Sequence, residues 1–221
     1  MEIEWFESQD TEFEKIVFFV GNNRKMKQIT LYIMLLIASV GNSQMKVRSG
    51  EFENLKGISA FNVTFDYSDL QVHGFDSEKS YLDEKMQKRE QKEGEAEKFE
   101  ENWYTDRSNK YEPKFIEYFN KQFRDSELSV SRDSTKQYTM HVKTTWIYPG
   151  YNVVAGKEPA KISATISVFE TSNPAKVLFI VDFNKSIGLE PGTFDFDQGY
   201  RIAGAYEKLA RNMALQLKRF L

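Results

Sequence analysis

Two histidines, His73 and His141, are the only imidazoles in this 221-residue chain, and it has no cysteine. The missing thiol excludes disulfides, zinc–thiolate sites, iron–sulfur clusters and cysteine catalysis. Zinc takes three or four ligands at short spacing, which two isolated histidines do not supply. Serine hydrolysis needs an activated hydroxyl with a base beside it. The sequence has no Gly-x-Ser-x-Gly elbow and no motif around either histidine. His141 reads as a solvent-facing strand residue, and His73, beside Gly74, as a turn residue. Asp195 and Asp197 alternate after Gly192, but the calcium-loop pattern is absent, and a helix cap plus an exposed acid accounts for them. Neither glycine-rich phosphate motif occurs. Paired carboxylates for glycoside hydrolysis can lie far apart in sequence, so two acids among many carry no information. The expectation is no catalytic residue, no metal site and no cofactor.

The densest aromatic patch is Trp146, Tyr148, Pro149, Gly150 and Tyr151. Trp146 and Tyr148 fall on the apolar side of a strand pattern and are expected in the core. Tyr151 lies beyond the Pro-Gly turn and is freer to be exposed. Tyrosine offers contact area at low entropic cost. Tyr148, Tyr151, Lys143 and Lys161 are therefore the candidate binding residues, the lysines coming from the polar side of their strands.

The elements that position these residues follow from hydrophobic periodicity. Phe61, Val63, Phe65 and Tyr67 alternate with polar residues as a half-buried strand. Residues 78–101 carry fifteen charges in 24 positions and predict a helix over about 78–104. It reads either as a solvated helix anchored at its ends or as a partner-binding arm. Phe115, Ile116, Phe119 and Phe123 make one stripe of a helix over about Pro113–Arg124. Leu128 and Val130 suggest a short strand. Three strand patterns follow, over Tyr138–Tyr148, Ile162–Val168 and Val177–Phe183. A long loop, Pro149–Pro159, joins the first two, and a Ser-Asn-Pro turn joins the last two. A final helix over about Asp197–Phe220 recurs at Ile202, Tyr206, Leu209, Met213 and Leu217, with Asp197 as N-cap. Residues 44–56 read as a polar lead-in. The order predicts an α+β two-layer sandwich, a mainly antiparallel sheet with helices on one face.

The N-terminus reads as an address. Ile29–Val40 is twelve residues of almost unbroken apolar character, preceded by Arg24, Lys25 and Lys27 and followed by Gly41, Asn42, Ser43 and Gln44. That is the pattern of a secretory signal peptide, and it is short for a membrane span of about 20 residues. Residues 26–43 are the expected signal, with cleavage after Ser43. A buried core helix is the competing reading. Residues 1–25 carry six acids and read as an over-extended start, with Met26 the true one, or as a cytoplasmic leader before an uncleaved anchor. The chain has 30 basic and 33 acidic residues, of which four and six lie in 1–43, leaving 26 and 27 in a 44–221 domain. That balance gives no electrostatic case for nucleic acid.

The run Tyr138-Thr-Met-His-Val-Lys-Thr-Thr-Trp-Ile-Tyr-Pro-Gly-Tyr, the Lys-Val-Leu-Phe strand at 176–179 and the closing Gly199-Tyr-Arg-Ile-Ala-Gly-Ala-Tyr-Glu-Lys-Leu-Ala helix resemble a group of uncharacterised secreted proteins of Gram-negative envelopes, over roughly 57–221. In element order the chain is also similar to small envelope α/β domains, such as those of curli-secretion lipoproteins and the amino-terminal domain of the Tol translocation protein. The resemblance implies a domain serving assembly or partner binding and brings no catalytic motif. The absent lipid-anchor cysteine departs from the lipoprotein members. The expectation is an exported, periplasmic or secreted, non-enzymatic protein that binds a protein partner or envelope component. It touches membrane only if the signal stays uncleaved. The alternative is a saccharide hydrolase with dispersed carboxylates.

Overall fold

The computed structural model describes residues 45–188 and 197–220. The expected signal peptide, the leader before it and Asp195 lie outside them. Among the described residues the fold is α+β.

The three long alternating patterns form β5 (Tyr138–Tyr148), β8 (Lys161–Glu170) and β9 (Asn173–Ile187), antiparallel neighbours in the order β5-β8-β9. Their apolar sides bury Met140, Val142, Ile162, Ala164, Ile166, Val168, Phe179, Val181 and Phe183 almost completely. β9 is flanked by β1 (Met45–Ser49), antiparallel to it. The lead-in is thus an edge strand, and the short 3-10 turn Phe52–Leu55 behind it buries Phe52 and Leu55. Only two apolar residues are needed to anchor such a turn, too few to give a period.

On the other side of β5 the pairing changes. β2 (Ala60–Asp66) runs parallel to it, Phe61 opposite Tyr138 and Asp66 opposite Lys143. β3 (Gln71–Val72) continues parallel along the same edge, and β4 (Ser129–Ser131) lies parallel to β2. The sheet order is β1-β9-β8-β5-β2-β4. It is mixed: the long ladders among β1, β9, β8 and β5 are antiparallel, and the shorter ones of β2, β3 and β4 are parallel. Parallel neighbours need a crossover of a dozen or more residues. The helices between β2 and β4 supply it.

The charged segment is two helices, not one. α1 (Glu78–Gln87) starts from a capping box made by Ser77 and Ser80, and α2 (Glu95–Asp106) starts at Gly94, whose φ of 75° breaks the run. Its anchors are Tyr81 and Leu82 at one end and Trp103 at the other, with Tyr81 and Trp103 in ring contact. Trp103 and Arg107 both donate to Glu78 and tie the helices together. A π-turn, Arg107–Tyr111, leads into α3 (Glu112–Lys121), which buries the expected Phe115 and Phe119. Asp197 caps α4 (Gln198–Leu217) by accepting from the Gly199 amide at 2.7 Å. α4 contacts α3, β8 and β9. Ala203, Ala205, Ala210 and Ala214 are buried beside Ile202, Leu209 and Met213, so the helix packs closely.

A polar contact also joins α4 to β5. The buried Tyr206 hydroxyl of α4 lies 2.5 Å from Thr144 Oγ1 of β5. A buried hydroxyl left without its partner costs about 1–3 kcal/mol. Tyr206→Phe is expected to lose that much in urea unfolding, and the double variant Thr144→Val/Tyr206→Phe to lose less than the two single losses added. Strict additivity would show that the contact carries no coupling.

Candidate functional site

Thr144 of β5 is opposite Ala164 of β8, but Trp146 is opposite Ser163, so Thr145 has no partner position. This is a β-bulge, one extra residue on one strand. A second irregularity lies on the other side of the same serine. Ile162 is opposite Ser186 and Ala164 opposite Phe183, leaving Asn184 and Lys185 against Ser163. Ser163 Oγ accepts from the Lys185 amide at 3.0 Å and lies 3.2 Å from Asn184 Oδ1. Lys185 holds a φ of 50°.

Because strand side chains alternate, one inserted residue exchanges the faces of everything after it. Ile147 takes the core position and is 1% exposed. Trp146 and Tyr148, expected in the core, turn to the opposite face and are only partly buried. There they join His73, Glu158, Lys161 and Lys185 around an open cavity of about 160 Å³. β3 delivers His73, whose amide donates to Ile147 O at 2.8 Å. Its ring stands edge-on to Trp146 and Tyr148, with centroids 5.6 and 5.0 Å away. Trp146 and Tyr148 lie nearly parallel, 6.5 Å apart. Lys185 Nζ sits 5.6 Å from the Trp146 ring and Lys161 Nζ 5.2 Å from the Tyr148 ring.

Glu158 closes the cluster. The expected loop 149–159 contains a small hairpin, β6 (Tyr151–Val153) and β7 (Gly156–Glu158), with Tyr151 opposite Glu158. Gly150 permits the entry turn, because a Cβ there would meet Glu158 O at 2.4 Å and its φ is 64°. Arg201 of α4 donates to Pro149 O and Gly150 O and fixes the turn. Glu158 accepts from Lys161 at 2.6 Å and from the Tyr148 hydroxyl at 2.7 Å. Those two bonds hold its carboxyl below the usual range against desolvation. Burial, with the bond to Glu158, pushes the Tyr148 phenol up to about 12.

Of the four candidate residues, Tyr148 and Lys161 line the cavity. Tyr151 stands on the hairpin at its rim, 44% exposed, beside the exposed Val153 and Val154. Lys143 belongs elsewhere: it pairs with Asp69 at 2.9 Å and Asp66 at 3.6 Å. His141, in the same group, is half-buried rather than solvent-facing, its Nδ1 2.9 Å from Thr64 Oγ1. Trp146, His73, Glu158 and Lys185 were not among the sequence candidates. The available clue was Ile147, the one purely apolar side chain between two aromatics that carry polar atoms.

Two further clefts are present among the described residues. One, of about 500 Å³, lies between β2 and the paired Glu112 and Arg132. The other, of about 230 Å³, lies between Phe123, Asp125 and Lys218. Each of the three clefts is lined by a single carboxylate: Glu158, Glu112 or Asp125. No group of three or more His, Asp or Glu side chains among the described residues is placed to hold a metal. Comparison of the chain with family models, curated proteins and solved structures returned no match.

Two outcomes follow from these geometries. Burial draws the His141 pKa below 6.5 despite the nearby Asp66. The unfolded chain then binds more protons, so the His141 contribution is present above about pH 6.5 and fades as pH falls through it. Unfolding free energy measured between about pH 7.5 and 5.5 is expected to decline, and His141→Asn to flatten the decline. At Lys185 a left-handed φ suits glycine. Lys185→Gly should therefore leave stability unchanged or raise it by up to about 1 kcal/mol, whereas Lys46→Gly, at an exposed, regularly paired position of β1, should cost about 0.5–1 kcal/mol. Equal losses in urea midpoints would count against strain at Lys185.

Proposed function

We propose that this chain is an exported, non-enzymatic envelope protein that binds a protein partner or envelope component. Its contact surface is the open sheet face around Trp146 and Tyr148, together with the β6–β7 hairpin. The observation that carries the reading is the bulge at Thr145. It takes a tryptophan and a tyrosine out of a core they would otherwise fill and sets them on an accessible face. Tryptophan and tyrosine are the residue types that dominate interface energetics. The proposal includes a two-layer arrangement, with helices on the buried side of the sheet and the other side left for contact.

Export is supported by the basic residues and apolar run up to Val40. Among the described residues no helix is long and apolar enough to cross a membrane. The competing saccharide-hydrolase reading needs two carboxylates in one cleft, about 5–10 Å apart. The three clefts lined by Glu158, Glu112 and Asp125 each supply one.

The test is photo-crosslinking in the envelope, with the reactive group at position 151 and, as control, at the exposed Glu117 of α3. A discrete protein or glycan adduct is expected from position 151 only, and it should be lost when Trp146 and Tyr148 are both changed to Ala. Intact mass of the recovered protein should show a chain starting at Gln44. Turnover of a glycan substrate abolished by Glu158→Gln, or an adduct equally strong from both positions, would overturn the binding reading.

A further inference from the structure

The cavity around Trp146 carries more positive charge than it neutralises internally. Glu158 spends one carboxylate oxygen on Lys161 and the other on Tyr148. Lys185, on the far side of the cavity, has no acidic partner among the described residues. Its backbone sits at φ 50°, a conformation a lysine adopts at a cost, and the bulge against Ser163 holds it there with its ammonium above Trp146. A fold that strains the backbone at a lysine and leaves the cation unpaired beside an aromatic pair presents a receptor for a negative charge.

From this, and resting on the binding reading above, we propose that the cavity takes a carboxylate side chain from an acidic, amphipathic peptide segment of a partner protein, with Lys185 pairing the carboxylate and the β6–β7 hairpin covering the apolar residues next to it. Three observations favour a peptide. The cavity, about 160 Å³, is below the roughly 300–1,000 Å³ of sites that enclose a whole small ligand, and fits one side chain. The hairpin that contributes Glu158 to the lining exposes Tyr151, Val153 and Val154, apolar contact area on an element of the cavity wall. A sugar ring would need a free aromatic face, but Lys185 stands over Trp146 and Lys161 over Tyr148, and the two rings are 6.5 Å apart.

The test uses the purified full chain and the indole N–H signal of Trp146, assigned with Trp146→Phe, in a two-dimensional NMR titration. The probes are acetyl-Leu-Glu-Glu-Leu-amide, acetyl-Leu-Gln-Gln-Leu-amide and a hexuronate tetrasaccharide. The glutamate peptide is expected to shift the Trp146 signal saturably, and less so as salt rises. Lys185→Met should weaken it about tenfold or more, and Lys185→Arg should retain it. The glutamine peptide should shift nothing. Equal binding of both peptides, or binding unaffected by Lys185→Met, would overturn the carboxylate assignment. Binding of the uronate with no response to the peptide would replace the peptide by an anionic glycan. If no probe shifts Trp146 while position 151 still crosslinks to a protein, the carboxylate inference fails and the binding reading stands. If neither occurs, both fail.

Discussion

A β-strand has two faces, and a single inserted residue exchanges them. The arrangement of this molecule depends on that constraint being applied twice around one residue. Ser163 is opposed by an extra residue on β5 and by an irregular turn of chain on β9. On β5 the insertion keeps the core filled, because Ile147 replaces the tryptophan that simple alternation would bury. On β9 it seats Ser186 inside and Lys185 outside. The local cost is a left-handed lysine, about 1–2 kcal/mol for an L-residue. The Ser163 hydroxyl, accepting the Lys185 amide, offsets part of it. Bulges commonly re-aim side chains in this way.

The rest of the fold supplies rigidity beneath those bulges. β8 is paired with β5 from end to end and with β9 on either side of Ser163, and α4 packs against it. Small side chains on α4 allow the close approach, and the Tyr206–Thr144 contact sits one residue before the first bulge. On the other half of the sheet, the parallel pairing of β2 with β5 forces the chain through α1, α2 and α3 before it can return. The aromatic series Phe65, Phe115, Phe119 and Phe123, in successive ring contact, packs that crossover against the sheet. The charged helices need little apolar surface, because Glu78 gathers Trp103 and Arg107 at one point.

Electrostatics then divide the open face into two. Around His141 the cation Lys143 is matched by Asp66 and Asp69, which makes that group self-contained. Around Trp146 one lysine is matched and the other is not. The difference lies in Glu158, whose two oxygens are both engaged and whose carboxyl is held ionised by Lys161 and Tyr148. Such a carboxylate is a poor general acid.

The sequence by itself determined the elements with long, uninterrupted periods: the β5, β8 and β9 strands, the Phe115–Phe119 stripe and the closing α4 helix with its Asp197 cap. Those patterns are local, since each residue's burial follows from its own side chain and its neighbours three or two positions away. The sequence also narrowed the chemistry, through the missing cysteine and the two isolated histidines. Tertiary structure decided what depends on partners distant in the chain. The parallel pairing of β2 with β5, the edge role of Met45–Ser49 and the gathering of His73 with Glu158 all join segments whose separation no period records. The face of Trp146 and Tyr148 was decided there as well. A bulge at Thr145 has no signature in β5 alone, because it exists only in the register between β5 and β8. Two of the four sequence candidates reach the cavity for that reason, and the lysine that completes it came from a strand whose own alternation gave no sign of the turn.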